Sequence, residues 1–249
     1  MDINSNNGFV NGGNGVSNTF MPDNSPVFSC DMGLNDNTVF CGGADGVLRA
    51  CDPESNSLND IGSHNNAIRV VKVEKNSNVI VTGGWDNTVS VWDPRSNNNP
   101  VFSENVNGKV YALDVSAKTL VVGNSNREIL IYDFANNMSP VSCFESPMKL
   151  QTRSLSIFGE DMGVAIGSVE GRVAIEYFQE LDRDRSKKQE DQQSFVYKCH
   201  RHREGSLAEV AYAINDIQFF STDMFCTAGS DGLLTRTRIE TNRHSCIVM

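Results

Sequence analysis

The chain has 249 residues, 39% of them apolar, and a formal net charge of −10. That length and composition suffice for a substantial core, while the negative charge argues against nucleic acid as the main partner, because duplex binding rests on neutralising phosphates with Lys and Arg. No stretch approaches the roughly 18 to 20 apolar residues of a membrane helix, and residues 1 to 25 lack the charged start and apolar centre of a signal peptide, which points to the cytosol or nucleus.

Residues 1 to 25 hold seven asparagines and Gly8, Gly12, Gly13 and Gly15. Such a composition does not offset its ordering entropy, so a disordered leader is expected. A repeat then begins. Val27 to Cys30 reads as an apolar strand, and Gly42-Gly43-Ala44-Asp45-Gly46 as a turn leading into Val47 to Asp52. Ile68 to Val73 opens the next copy, followed by Trp85-Asp86-Asn87 and an alternating strand that ends in Trp92-Asp93. Asp45 to Asp86 and Asp52 to Asp93 are both 41 residues apart. Self-similarity at that period, with a tight turn and a strand closing on Trp-Asp, is the mark of a propeller blade.

Val110 to Val115 starts a third unit, which passes through Val121-Val122-Gly123 and closes at Asp133, 40 residues after Asp93. Leu155 to Phe158, Ala165 to Gly171 and Arg172 to Tyr177 make a fourth. Residues 179 to 195 alternate in charge with few apolar positions and read as an exposed loop. Ile214 to Phe219 and Thr227-Ala228-Gly229-Ser230-Asp231-Gly232 begin a fifth unit. Thr237 and Arg238 then stand where an aromatic residue and Asp belong, so the pattern is expected to fail there, with no fourth strand after it. The expected organisation is the leader, a repeat domain over residues 26 to 240, and a tail over 241 to 249. The expected fold is all-β, an incomplete β-propeller with about five recognisable blades.

Seven scattered cysteines without a C-x-x-C pair indicate neither a disulfide framework nor a zinc site; reduced, mostly buried thiols are expected, with no metal and no cofactor. His64, Thr82 and Asp86 could be read as a catalytic triad. Their places before the first strand, on the second strand and in the turn, with Trp92 on the third, fit a buried polar relay better, running from carboxylate to indole N–H. Cys199, His200 and His202 lack a second cluster at zinc spacing and read as a surface strand. Lys198 to Arg203 also reads as a cationic edge suited to carboxylates or phosphates. Trp85, beside the turn aspartate, is either an exposed interface anchor or packed against the neighbouring blade. Arg153 and Arg172 are further rim candidates. Cys246-Ile247-Val248-Met249 fits a C-a-a-X ending, so Cys246 is a candidate for prenylation and membrane attachment; an incomplete or aberrant C-terminus is the alternative, since it also explains the loss of blade pattern just before.

Gly83 to Arg95, Glu145 to Arg153, Gly167 to Ala174 and Tyr197 to Arg201 resemble one WD-repeat family, that of the checkpoint protein Bub-three and the mRNA-export factor Rae-one, also called Gle-two. Asp93-Pro94-Arg95, Lys109-Val110-Tyr111 and Thr119 to Gly123 look more like the checkpoint branch. The resemblance implies a seven-bladed, non-enzymatic propeller, of which about five repeats are present. It also implies a rim that grips acidic peptides of checkpoint kinases or of a nucleoporin, phosphorylated kinetochore repeats as ligands of the checkpoint branch, and residence in the nucleus, at kinetochores and in the cytoplasm. Arg172 matches the family arginine that pairs with peptide glutamates. Lys198 and Arg201 match cationic positions offered to acidic or phosphorylated groups.

Overall fold

The computed structural model describes residues 25–34, 37–55, 57–96, 99–178, 194–203, 209–239 and 246–248. The expected leader, apart from Ser25, lies outside them, as does most of the charged loop. Chain contacts divide the protein into two compact units, Met1–Asn105 and Val106–Met249, and the division falls between sheets.

The first unit holds two antiparallel sheets. One is formed by β1 (Val27–Met32), β2 (Val39–Gly43), β3 (Val47–Asp52) and β4 (Ser57–Ser63), in that order. The other is formed by β5 (Ile68–Glu74), β6 (Val79–Gly84), β7 (Thr88–Trp92) and β8 (Phe102–Asn105). Short connections with Asn, Asp and Gly at their tips fold each run of strands back on its predecessor. Phe40, Leu48 and Ala50 of one sheet pack against Ile68, Val71, Val73, Ile80 and Trp92 of the other. Alternation along β3 and β5 therefore becomes a shared apolar layer.

The second unit repeats this plan. It contains β9 (Val110–Val115), β10 (Thr119–Asn124), β11 (Glu128–Asp133) and β12 (Ser139–Glu145), then β13 (Thr152–Phe158), β14 (Gly163–Ser168), β15 (Arg172–Tyr177) and β16 (Phe195–Lys198). A two-stranded ribbon follows, β17 (Arg201–Arg203) with β18 (Glu209–Ala211). The last sheet is β19 (Ile214–Phe219), β20 (Met224–Gly229), β21 (Leu234–Arg238) and β22 (Cys246–Val248). β10 and β14 are buried along their whole length, so their centres, Leu120 to Val122 and Val164 to Ile166, are short apolar runs rather than alternating ones. The chain is all-β, with the four-stranded antiparallel sheets of an incomplete propeller.

Three expectations about this unit need correction. The fifth sheet does have a fourth strand, because Cys246, Ile247 and Val248 pair with Thr237, Arg236 and Thr235. Nor does the pattern fail at Thr237, which is buried in β21 opposite Phe225. Phe225 is sealed among Phe219 and Tyr197, so neighbouring strands supply the aromatic bulk that Trp92 supplies in the second sheet. Phe195 belongs to β16 rather than to the preceding loop, since its ring joins the same apolar cluster.

One irregularity recurs in each of the five four-stranded sheets. The pairing of first and second strands slips by a residue at Phe28, Arg69, Tyr111, Arg153 and Asn215. Each is a β-bulge, which bends the strand and re-aims the extra side chain.

Candidate functional site

The second sheet organises the first group of candidate residues. His64 Nδ1 lies 3.1 Å from both Asp86 oxygens, and its Nε2 lies 2.7 Å from Thr82 Oγ1. Trp92 Nε1 donates to the same hydroxyl at 2.7 Å. An indole N–H only donates and a carboxylate only accepts, so the chain runs one way, from Trp92 through Thr82 and His64 to Asp86. Asp86 also accepts from the backbone N–H groups of Asn65 and Thr88 and from the Thr88 hydroxyl. Burial pushes its carboxyl up, but the hydrogen bonds from Thr88 and the imidazole beside it outweigh this and hold it below the usual carboxylate range. Thr82 is completely buried and the His64 side chain is 1% exposed. No substrate reaches that hydroxyl, so the triad reading fails on geometry.

A second relay, not anticipated from the sequence, sits in the fifth sheet. His200 Nδ1 lies 2.9 Å from Asp231 Oδ1, and Nε2 lies 2.8 Å from Thr227 Oγ1. His200 and Cys199 are therefore interior residues and not part of a surface strand. The signal was present as Thr-x-x-x-Asp, common to Thr82/Asp86 and Thr227/Asp231. The longer interval from His200 to Thr227 concealed the match. In both relays a glycine makes room: a Cβ on Gly84 would meet Asp86 Oδ1 at 2.3 Å and His64 Nδ1 at 2.5 Å, and one on Gly229 would meet His200 Nδ1 at 2.3 Å.

The fourth sheet gathers the candidate cations. Arg153 is the exposed bulge residue at the start of β13, Arg172 starts β15, and Lys198 ends β16 directly opposite Arg172. Antiparallel order puts these three positions at one end of one sheet. Like charges directly opposite each other are unfavourable, and two carboxylates moderate them. Glu170 Oε2 lies 3.6 Å from Arg172 Nη1, and Glu209 Oε2 lies 3.8 Å from Lys198 Nζ. Arg201 is drawn to the same end, since its Nη2 donates to the Glu170 carbonyl at 2.8 Å and its Nε to the Gly171 carbonyl at 3.2 Å. Arg172 Nε is buried with no acceptor among the described residues.

Trp85 lies in the first unit, partly buried, with its ring 5.5 Å from that of Phe28, the bulge residue of β1. It therefore packs against the neighbouring sheet, the second of the two roles set out for it. Cys246 is placed by its backbone pairing with Thr237. Among the described residues no group of His, Cys, Asp and Glu could hold a metal ion, and no helix is long and apolar enough to cross a membrane.

Residues 55–93 match the model of the WD domain, G-beta repeat. The chain is similar to "Mitotic checkpoint protein bub-3" of Caenorhabditis elegans, with 34% identity over 211 residues, 84% of this chain and 60% of that protein. It is also similar to "mRNA export factor GLE2" of Chaetomium thermophilum, with 34% identity over 214 residues, 85% of this chain and 58% of that one. "Mitotic checkpoint protein bub3" of Dictyostelium discoideum is 34% identical over 200 residues, 78% of this chain and 58% of that protein. The chain thus spans about three fifths of the length of the curated relatives it matches.

Proposed function

We propose, for a chain that belongs to the WD-repeat family of Bub-three and Rae-one, that the fourth sheet carries a docking site for acidic or phosphorylated peptides. The protein acts as a non-enzymatic adaptor. The observation that carries this reading is the cationic end of that sheet: Arg172 and Lys198 face each other across β15 and β16 on a chain of net charge −10. Like charges directly opposite each other are unfavourable, and the carboxylates of this chain that answer them stand no closer than 3.6 Å to Arg172 and 3.8 Å to Lys198, which leaves both cations able to take a further anion. The buried Arg172 Nε, without an acceptor among the described residues, adds to the case. Arg172, with Arg153 on the adjacent bulge, receives glutamates, and Lys198 and Arg201 receive a carboxylate or phosphate.

The relatives named for the mitotic checkpoint support spindle-checkpoint kinases and phosphorylated kinetochore proteins as the source of such peptides, and the nucleus and kinetochore as the place. A second reading has equal support in sequence identity. The relative named as an mRNA export factor favours a nucleoporin peptide instead. The decisive measurement is the affinity of a glutamate-containing kinase peptide and of a nucleoporin peptide for wild type and for Arg172→Ala. Loss of one charge-assisted pair is expected to weaken the cognate peptide about tenfold or more. Equal affinities for wild type and variant would remove Arg172 from the site, and the tighter of the two peptides decides between the readings.

A further inference from the structure

The cations at the end of the fourth sheet already hold an anion from this chain. Glu209, the first residue of β18, sits in register with Arg203, and its side chain reaches past it. Arg201 Nη1 donates to Glu209 Oε2 at 2.7 Å, and Lys198 Nζ lies 3.8 Å from the same oxygen. The remaining contacts of Arg201 fix its plane, because Nε and Nη2 are held by the carbonyls of Gly171 and Glu170 in the turn between β14 and β15. Only the end bearing Nη1 is directed at an anion. The Arg201 side chain is 16% exposed, Glu209 33% and Lys198 58%. Glu209 therefore covers the arginine while remaining open to displacement from the solvent side.

Any incoming anion has to exchange with this carboxylate. A peptide glutamate or aspartate offers the same single charge and the same two oxygens, so the exchange gains nothing at Arg201, and the released Glu209 stays nearby to repel it. A phosphomonoester brings about −1.5 to −2 charges and three strong acceptor oxygens, enough to engage Arg201 and Lys198 together. Resting on the docking site proposed above, we infer that Glu209 is its specificity-determining residue: it occupies Lys198 and Arg201 as an internal carboxylate, so that phosphorylated peptides displace it and merely acidic ones do not. The neighbouring subsite at Arg172 has no such filter among the described residues, since the carboxylate beside it, Glu170, lies at 3.6 Å, and it remains open to plain carboxylates. The hydrogen bond from Arg201 holds the Glu209 carboxyl below its usual range, so the filter stays charged throughout the physiological pH range.

The test uses the full chain and two oriented mixtures of short peptides, identical except for a fixed central phosphothreonine in one and glutamate in the other. Fluorescence anisotropy is measured for wild type, Glu209→Gln and Arg201→Ala, with thermal melting as the control for folding. Wild type is expected to prefer the phosphothreonine mixture. Glu209→Gln should raise affinity for the glutamate mixture about fivefold, the scale of one exposed ion pair removed from competition, and should narrow the preference accordingly. Arg201→Ala should abolish the phosphothreonine advantage. An unchanged preference in Glu209→Gln, with Arg201→Ala still defective, overturns the filter and leaves the docking site intact. Phosphothreonine binding that is indifferent to Arg201→Ala, or absent in wild type, overturns Lys198 and Arg201 as an anion subsite, and the docking site itself falls if the glutamate mixture also fails to bind.

Discussion

At the scale of single residues, two relays of one design tie β-strands together through side chains in the protein interior. Each sets a threonine hydroxyl and an imidazole against a carboxylate, and each needs a glycine beside the pair. Buried polar groups of this kind are favourable when every member is satisfied and costly when one is removed. Asp86→Asn leaves His64 without its anion and is expected to destabilise the first unit by about 2 to 4 kcal/mol at neutral pH, measured by urea denaturation. The sign of its pH dependence follows from the depressed carboxyl. The stabilisation from Asp86 is fully present above the unfolded carboxylate value of 3.8 and is lost as pH falls from there through the lower folded value. Wild type and Asp86→Asn should therefore converge in stability in that acid window. A gap that persists unchanged below it would show that the contribution of Asp86 is not that of its charge.

Elements show how a weak sequence pattern is made up by neighbours. β21 has threonine where β7 has tryptophan, yet both strands are built in. Trp92 fills the first unit's core directly. Thr237 instead lies under Tyr197, whose hydroxyl donates to it at 3.4 Å, while Tyr197, Phe219, Phe225 and Phe158 form the apolar mass. β16 thus stabilises the fifth sheet from the fourth. Tyr197→Ala is expected to cost about 3 kcal/mol, the range for removing a buried aromatic ring, whereas Tyr197→Phe should cost less than about 1 kcal/mol because the ring is kept and the hydrogen bond to Thr237 is long. Denaturation monitored in the second unit separates the two, and similar losses would transfer the importance from the ring to the hydroxyl. The bulges act at the same scale: Arg153 is re-aimed by a slip in register that alternation alone does not announce.

For the whole molecule the governing quantity is charge. A body of net −10 repels polyanions at long range, and only a local cluster such as Arg153, Arg172, Lys198 and Arg201 attracts a short one. Duplex DNA needs many phosphates neutralised at once, so binding at physiological salt should be weaker than ordinary non-specific binding, roughly 10⁻⁴ to 10⁻⁶ M. Anisotropy with a labelled duplex checks this, and micromolar affinity would require a broader basic surface than the fourth sheet provides.

The sequence alone determined the repeat, the starting point of four of the five sheets and the relay through His64, Thr82, Asp86 and Trp92, because a 41-residue rhythm and period-two burial are local patterns that survive in one dimension; β13 begins at Thr152 rather than at the expected Leu155, since its first residues are polar and carry a bulge. Tertiary structure decided the rest. His200 became interior because Asp231 and Thr227, distant in sequence, converge on it; β22 returned to β21 although its short apolar run, Cys246-Ile247-Val248, reads equally as a C-a-a-X ending; and Arg201 met Glu209 through a ribbon outside the repeat. These contacts depend on distances through space between charged and hydrogen-bonding groups, and residue order sets such distances only after the backbone has paired.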